Sequence, residues 1–266
     1  DVCSSDLQLL SEHTRTLYAR EKAEQLRIHT RLDFIQQGLR QSYEYLLLLQ
    51  QQQYFPNDFT APLQKELKLL SIPGAVLVGE QWILIARLCD SLHAMFRWMD
   101  TERRTAFPAL ALVMKDAYDE RKIPETIRKI VDETGQVLDT ASPELQKIRM
   151  QLYKKRIELR RIFERVVGKL QKAGFSADIA ESFSNGRRVV AVFSEHKRQV
   201  KGIYHGESDS RKTAFIEPEE TIELNNDLYS LENDEREEIQ RIFRSLTAER
   251  SEEHTSELQS RVDISY

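Results

Sequence analysis

Cysteine is nearly absent from this chain, which contains only Cys3 and Cys89. Cys3 lies in an end segment that is considered separately below. Cys89 lies in the apolar run WILIARLCDSLHAMF, where a thiol is expected to pack as a small structural side chain. Because one remaining thiol cannot form an internal disulfide, the sequence favours a reducing, cytoplasmic environment.

Long hydrophobic runs are missing as well. The longest run of Leu, Ile and Val alone is LLLL at 46–49, far short of the ~20 residues that a membrane-spanning helix needs, so no membrane association is expected. Glycine and proline are scarce, with nine and seven residues, while Leu, Glu, Arg and Gln are frequent. The fold class is therefore predicted to be mainly α.

The two end segments look foreign to the rest of the chain. DVCSSDL at 1–7 and RSEEHTSELQSRVDISY at 250–266 match the in-frame translation of common sequencing adapters, and we expect both to be adapter-derived artefacts. Setting them aside removes six acids from 43 and two bases from 39, which leaves 37 of each. Since that body is neutral, any electrostatic function must come from how the charge is distributed.

Residues 8–142 are predicted to form a multi-helix core, because apolar side chains recur at helical spacing. After it, Ser142 and Pro143 suit the N-cap and the first position of a much longer helix. This helix and its connection are predicted over 143–182, and a second long helix is predicted over 219–249.

The two long helices carry opposite charge. Residues 143–172 hold ten Lys and Arg against three Glu, and residues 219–249 hold ten acids against three Arg. Both carry an apolar stripe, so they are expected to pair antiparallel, with Leu152 opposite Glu238 and Leu159 opposite Leu231. The apolar seam would stabilise the pair, while the charges would favour this pairing over others.

A small β module is predicted at 183–218, between the two helices. Its β-rich runs are 187–193, 199–205 and 212–216. Residues 187–212 contain seven cations against three acids, which suits contact with a polyanion. The candidate nucleic-acid-binding residues are Arg187, Arg188, Lys197, Arg198, Lys201, Arg211 and Lys212. Tyr204 and Phe215 are expected to be packing residues rather than a base-stacking platform.

No metal or catalytic site is expected in this chain. The histidines and acids of the β module, His196, His205, Glu207 and Asp209, match no metal-binding spacing. Glu217, Glu219 and Glu220 surround Pro218, where acids suit the first turn of a helix. No Ser/His/Asp or Cys/His set stands out.

Several motifs of the β module resemble the MutS family, specifically its second bacterial subfamily. They are SNGRRVVAV, VKGIYHGESDSRKTAFIEP and ELNNDL, and GQVLDTASPELQKIR at 135–149 is also similar to the family. In the family the turn before the Thr commonly contains glycine, whereas Arg211 and Lys212 stand there in this chain. This departure leaves the turn geometry open and adds positive charge.

The resemblance implies a core with a long antiparallel helical lever pair that carries a β clamp at its tip. It also implies a longer parent protein, in which two subunits form a ring and the clamps close on nucleic acid. The partners would be branched or duplex DNA and, in some lineages, the ribosome and its RNA.

The parent protein would be a homodimeric ATPase that uses ATP and Mg, and, as is usual in the subfamily, it would end in an Smr endonuclease domain. No phosphate-binding loop of the GxxxxGK[ST] type occurs in this chain, so no enzyme activity and no cofactor are expected for the fragment itself. The alternative function is a coiled-coil protein-interaction scaffold that does not bind nucleic acid.

Overall fold

A computed structural model describes residues 2–14, 17–27, 29–56, 59, 61 and 63–254. Over these residues the chain is mainly helical with a small antiparallel sheet, which confirms the predicted fold class at that level. The chain forms two compact units, the first from Asp1–Leu138 and Phe243–Tyr266 and the second from Asp139–Ile242. The finer domain boundaries stay predictions.

The described helices cover most of both units. They are α1 (Val2–Glu12), α2 (Leu17–Glu24), α3 (Leu32–Gln50), α4 (Gln64–Leu70), α5 (Gly79–Trp98), α6 (Thr101–Ala106), α7 (Pro108–Val113), α8 (Lys122–Ile130), α9 (Pro143–Lys172) and α10 (Glu219–His254). Helices α1 and α10 extend into the end segments predicted to be adapter-derived. Residues 1 and 255–266 of those segments lie outside the described residues, and their origin stays a prediction.

The first unit has a helical core around Trp82, which is almost fully buried together with Leu48 and Leu77. Two long-range contacts hold its parts in place. The Glu44 carboxylate accepts the Leu110 backbone N–H at 2.8 Å and thereby caps α7 from α3. Thr247 Oγ1 accepts the Leu77 backbone N–H at 3.3 Å, which attaches the last part of α10 to this unit.

A glycine pair sets a close approach within the first unit. A Cβ at Gly79 would lie 1.7 Å from the Gly135 carbonyl oxygen. Gly135 also has a φ of +85°, in the left-handed region that favours glycine. The start of α5 therefore contacts the 132–137 turn through backbone atoms alone.

Helix α9 begins at Pro143, as its sequence predicts, and ends at Lys172. Ser142 Oγ accepts the Leu145 backbone N–H at 3.0 Å, and Pro143 follows at the first helical position. Gly174 follows the helix with a φ of +73°. The cap and the glycine thus define a helix of 30 residues.

Helices α9 and α10 pack antiparallel within the second unit. Their shared core contains Ile148, Leu152, Leu159, Leu224 and Leu228. The register differs from the expected one, because Glu238 lies against Ser142, with Ser142 Oγ donating to Glu238 Oε1 at 2.6 Å, and not against Leu152. Apolar rows repeat every turn, so several registers fill the seam equally well, and the polar contacts select one of them.

The sheet consists of β1 (Ser176–Ser184), β2 (Arg187–Phe193), β3 (Gly202–Glu207) and β4 (Thr213–Pro218). Its order is β1-β2-β4-β3, and every described pairing is antiparallel. The sequence missed β1, because its Ala, Glu and Ser residues have low strand propensity. Asn185 and Gly186 both have positive φ and form the tight turn that pairs β1 with β2.

One face of the sheet packs on the C-terminal half of α9. Its buried cluster contains Phe163, Val166, Val190, Val192, Ala214 and Ile216. The alternating valines of β2 and the small and branched residues of β4 therefore bury their apolar area against the helix. This packing fixes the sheet and positions the charged residues around it.

Candidate nucleic-acid interface

The seven predicted nucleic-acid-binding cations all lie in the second unit, around the sheet. Arg187 and Arg188 begin β2. Lys197 and Arg198 follow a 3-10 turn, Lys201 precedes β3, and Arg211 and Lys212 precede β4. The fold thus brings together cations from three separate parts of the sequence, but it uses them in two different ways.

Three of these cations are engaged inside the protein. Arg187 Nη1 donates to Glu217 Oε1 at 2.7 Å, and Lys197 Nζ donates to Glu207 Oε1 at 2.6 Å. Arg188 donates to Glu181 of β1 and stacks over the Phe163 ring. The hydrogen bond from Lys197 lowers the pKa of Glu207, so that pair stays ionised at neutral pH.

The other four cations have exposed side chains: Arg198, Lys201, Arg211 and Lys212. We call them the exposed sheet cations. Across the part of the chain that the structure describes, none of them forms a salt bridge. Their charge is therefore available to a ligand. In nucleic acids, the groups that Lys and Arg side chains neutralise are the backbone phosphates.

Arg211 has an unusual backbone conformation. Its φ of +56° lies in the left-handed region, which costs a residue with a Cβ roughly 1–2 kcal/mol. The turn is held by two backbone contacts, since Arg211 N donates to Ser208 O and Ser194 Oγ donates to Arg211 O, each at 2.8 Å. An arginine therefore occupies a position where the backbone favours glycine.

Two aromatic residues of the sheet, Tyr204 and Phe215, were expected to be packing residues, and this stays a prediction. Tyr204 is 52 % exposed, whereas Phe215 is half-buried. Lys197 Nζ lies 5.5 Å from the centre of the Tyr204 ring. The ring lies on an edge strand, where it packs only on one side.

Glu217 is the central polar residue of the second unit, and its side chain is fully buried. Its carboxylate contacts His205 Nε2 at 2.9 Å and accepts hydrogen bonds from Asn225 at 2.8 Å and from Arg187. Burial alone would raise the pKa of Glu217, but these hydrogen bonds lower it below its ordinary value.

The expected role of Glu217 in the first turn of a helix is therefore wrong, since it lies at the end of β4 and links β2, β3 and α10. Sequence reasoning missed this network because its members are far apart along the chain. The signal that could have predicted the network was the glutamate in the apolar strand sequence TAFIEP, because a buried carboxylate needs hydrogen-bond partners.

No other chemical site emerges from the described ranges. They contain no group of three or more His, Cys, Asp or Glu side chains placed to hold a metal ion. Cys89 is half-buried, and burial raises the pKa of its thiol to about 11, which keeps the thiol protonated and unreactive at neutral pH. Nor does any described helix combine the length and hydropathy of a membrane span.

The chain is similar to proteins named Endonuclease MutS2 from several bacteria. The Bacillus velezensis protein is 28% identical over 257 residues, which cover 96% of this chain and 32% of the relative. The Geobacillus thermodenitrificans protein is 29% identical over 91% of this chain and 31% of the relative.

A third relative, from Symbiobacterium thermophilum, is 31% identical over 91% of this chain and 30% of its own length. No protein-family model matches the chain. These similarities support a family relationship with MutS2 proteins along most of the chain. The chain spans about a third of the length of these curated relatives.

Proposed function

We propose that this chain is the core and clamp region of a MutS-like DNA-binding ATPase that clasps branched or duplex DNA. In this proposal, α9 and the part of α10 that pairs with it form the lever, and the sheet forms the clamp. The single observation that carries it is the group of exposed sheet cations, none of which forms a salt bridge with an acidic side chain of the described residues. The relationship with MutS2 proteins supports the same function.

The contacts would be made to phosphates and not to base edges. The exposed sheet cations are two lysines and two arginines set around a small sheet, and the exposed aromatic side chains of the sheet, Phe183, Phe193 and Tyr204, lie on three different strands. Such contacts position a nucleic acid but carry no sequence information. Branched and plain duplexes both present closely spaced phosphates, and so does ribosomal RNA, which remains a further proposed partner.

The backbone conformation of Arg211 supports the same interface. A residue that costs conformational energy is retained only where the surrounding structure or the function compensates for it. Here the compensation is a cation on an exposed turn, beside Lys212. We infer that the charge of Arg211 contributes to binding.

The wider protein is a proposal as well. It would contain an ATPase domain that binds ATP and Mg, act as a cytoplasmic homodimer, and carry an endonuclease domain of the Smr type. The relatives' name, Endonuclease MutS2, supports the nuclease part of this proposal. The present chain would supply binding and no catalytic step.

The test measures binding of the 266-residue chain to a fluorescent duplex of about 20 base pairs at several salt concentrations. One variant combines Arg198→Gln, Lys201→Gln, Arg211→Gly and Lys212→Gln. Each lost phosphate contact lowers the slope of log K against log[salt] by roughly 0.9, so a loss of about 3–4 in slope is expected. The Arg211→Gly change alone should weaken binding while leaving stability unchanged or raising it by up to about 1 kcal/mol.

The matched control removes four exposed lysines of the first unit, Lys65, Lys68, Lys122 and Lys129, by substitution with glutamine. It changes the net charge equally and should leave the salt slope almost unchanged. A wild-type chain that fails to bind at low salt, or equal losses in the two variants, would contradict the proposed interface.

A protein-interaction scaffold is the second candidate, and helix α3 favours it. This helix exposes Leu32, Phe34, Ile35, Leu39, Tyr43, Leu46 and Leu49. Exposed apolar side chains along one helix are typical of a surface that binds another protein. Absence of binding to any nucleic acid at low salt would favour this second function.

A further inference from the structure

Helix α9 presents a row of cations that the fold does not use. Arg161, Arg165, Lys169 and Lys172 follow one another at spacings of four, four and three residues. Because residues three and four apart are neighbours on a helix surface, these four side chains share one side of α9. All four are exposed, and we call them the α9 stripe.

The acidic face of α10 does not neutralise this stripe. The described salt bridges between the two helices involve Arg149 with Glu235, Lys155 with Asp227 and Arg156 with Glu232. These lie on the first half of α9, before the stripe begins. Among the described residues, no salt bridge reaches a member of the α9 stripe. The positive charge of the second half of α9 therefore faces solvent.

The composition around the stripe favours a polyanion over a protein partner. The exposed apolar residues of α9 are Met150, Tyr153 and Ile157, which all precede the stripe. Glu158 precedes the stripe, and Glu164, the acid within its span, pairs with Arg160 at 2.9 Å. Protein interfaces need apolar or aromatic residues at their centre and contain few lysines, whereas nucleic-acid backbones bind runs of cations.

We propose that the α9 stripe is a second phosphate-binding surface, which holds the backbone of duplex nucleic acid. The inference rests on the proposed function, namely that this chain contacts nucleic acid, and adds a surface separate from the exposed sheet cations. From Arg161 to Lys172 the stripe is about 16 Å long at about 1.5 Å per residue. Over that distance a duplex presents a phosphate charge every ~1.7 Å of its axis, so several phosphates face the stripe.

The experiment compares five forms of the full chain by fluorescence anisotropy with duplex DNA and with duplex RNA of the same sequence. Four of them are the wild type, the stripe variant R161Q/R165Q/K169Q/K172Q, the sheet variant described above, and the first-unit control. For either duplex, the slope of log K against log[salt] should be smaller in magnitude by about 3–4 in the stripe variant, at roughly 0.9 per phosphate contact. A fifth form, R161K/R165K, keeps the charge and should keep the slope.

The outcomes separate the two proposals. A stripe variant with the wild-type affinity and slope, next to a sheet variant that has lost both, overturns the stripe and leaves the proposed interface intact. Loss in the stripe variant with no loss in the sheet variant supports the stripe and contradicts the sheet assignment. Wild-type protein that binds neither duplex overturns both. The urea concentration at the midpoint of unfolding is measured for every form, as a control that each variant is folded.

Discussion

At the residue scale, the fully buried carboxylate of Glu217 links several elements of the second unit. Glu217 lies on β4, and its partners Arg187, His205 and Asn225 come from β2, β3 and α10. A buried charge without partners is costly, so the network is stable only while all of these elements are in place. The carboxylate therefore couples the sheet to the start of α10.

The substitution Glu217→Gln tests this role. Loss of the charge leaves Arg187 and His205 without their ionic acceptor, so the free energy of unfolding should fall by about 2–4 kcal/mol near pH 7. The measurement is urea unfolding followed by circular dichroism. A variant as stable as the wild type would contradict the coupling.

The same pair of proteins should show a defined pH dependence. The folded pKa of Glu217 is lowered below its ordinary value of 4.5. Its contribution to stability is therefore complete above pH 4.5 and is lost as the pH falls through the lowered pKa. The difference between wild type and Glu217→Gln should shrink at acid pH, because the protonated glutamate resembles glutamine. A difference that stays constant with pH would show that the charge is not what stabilises the unit.

The sequence identified the cations of the β module but could not separate the engaged ones from the exposed ones. Charge is visible in a sequence, whereas pairing depends on strand register. Arg187 reaches Glu217 only because β2 pairs with β4, with Val190 opposite Ile216. Arg188 reaches Glu181 only through β1, which the sequence did not predict.

At the scale of elements, local sequence signals predicted where a helix begins better than they predicted how helices and strands pair. The start of α9 follows from Ser142 and Pro143, two residues whose preference for a helix start is intrinsic. The register of α9 against α10 was wrong because leucines at three- and four-residue spacing allow shifts by whole turns. Similarly, β1 was missed because it becomes a strand only by pairing across the Asn185–Gly186 turn.

The substitution Leu159→Ala tests the seam between α9 and α10. Leu159 is buried in the core shared by both helices, so the free energy of unfolding should fall by about 2–5 kcal/mol. Alanine is an excellent helix former, hence the loss would report packing and not helix propensity.

Ile157→Ala is the matched control, since Ile157 lies on the same helix and is 51 % exposed. Its effect should stay within about 0.5 kcal/mol. Equal losses from the two substitutions, measured in urea, would contradict the described burial of this seam.

At the scale of the whole molecule, the sequence predicted a helical class with a small sheet and a division close to residue 142. The structure divides the chain at Leu138 and again at Ile242, within α10. The second division has no sequence signal, because no glycine or proline interrupts the helix there. Which unit a helical residue joins depends on its tertiary contacts, as for Thr247 and Leu77.

The second unit should fold without the first. Asp139–Ile242 is continuous in sequence and contains both partners of each core contact in its two apolar clusters. Expressed alone, this segment should give a helical circular dichroism spectrum and a single cooperative urea transition. The shorter segment 143–218 lacks the α10 half of the seam and should not fold. A gradual transition for Asp139–Ile242 would show that its stability depends on the first unit.

The left-handed arginine at position 211 separates two kinds of selection. In a randomised library sorted only for resistance to proteolysis, glycine and asparagine should enrich there, since both relax the turn. Sorting the same library for capture on immobilised DNA should instead retain arginine or lysine. The residue frequencies at position 211 would then show whether a population of these sequences was selected for resistance to unfolding or for DNA capture.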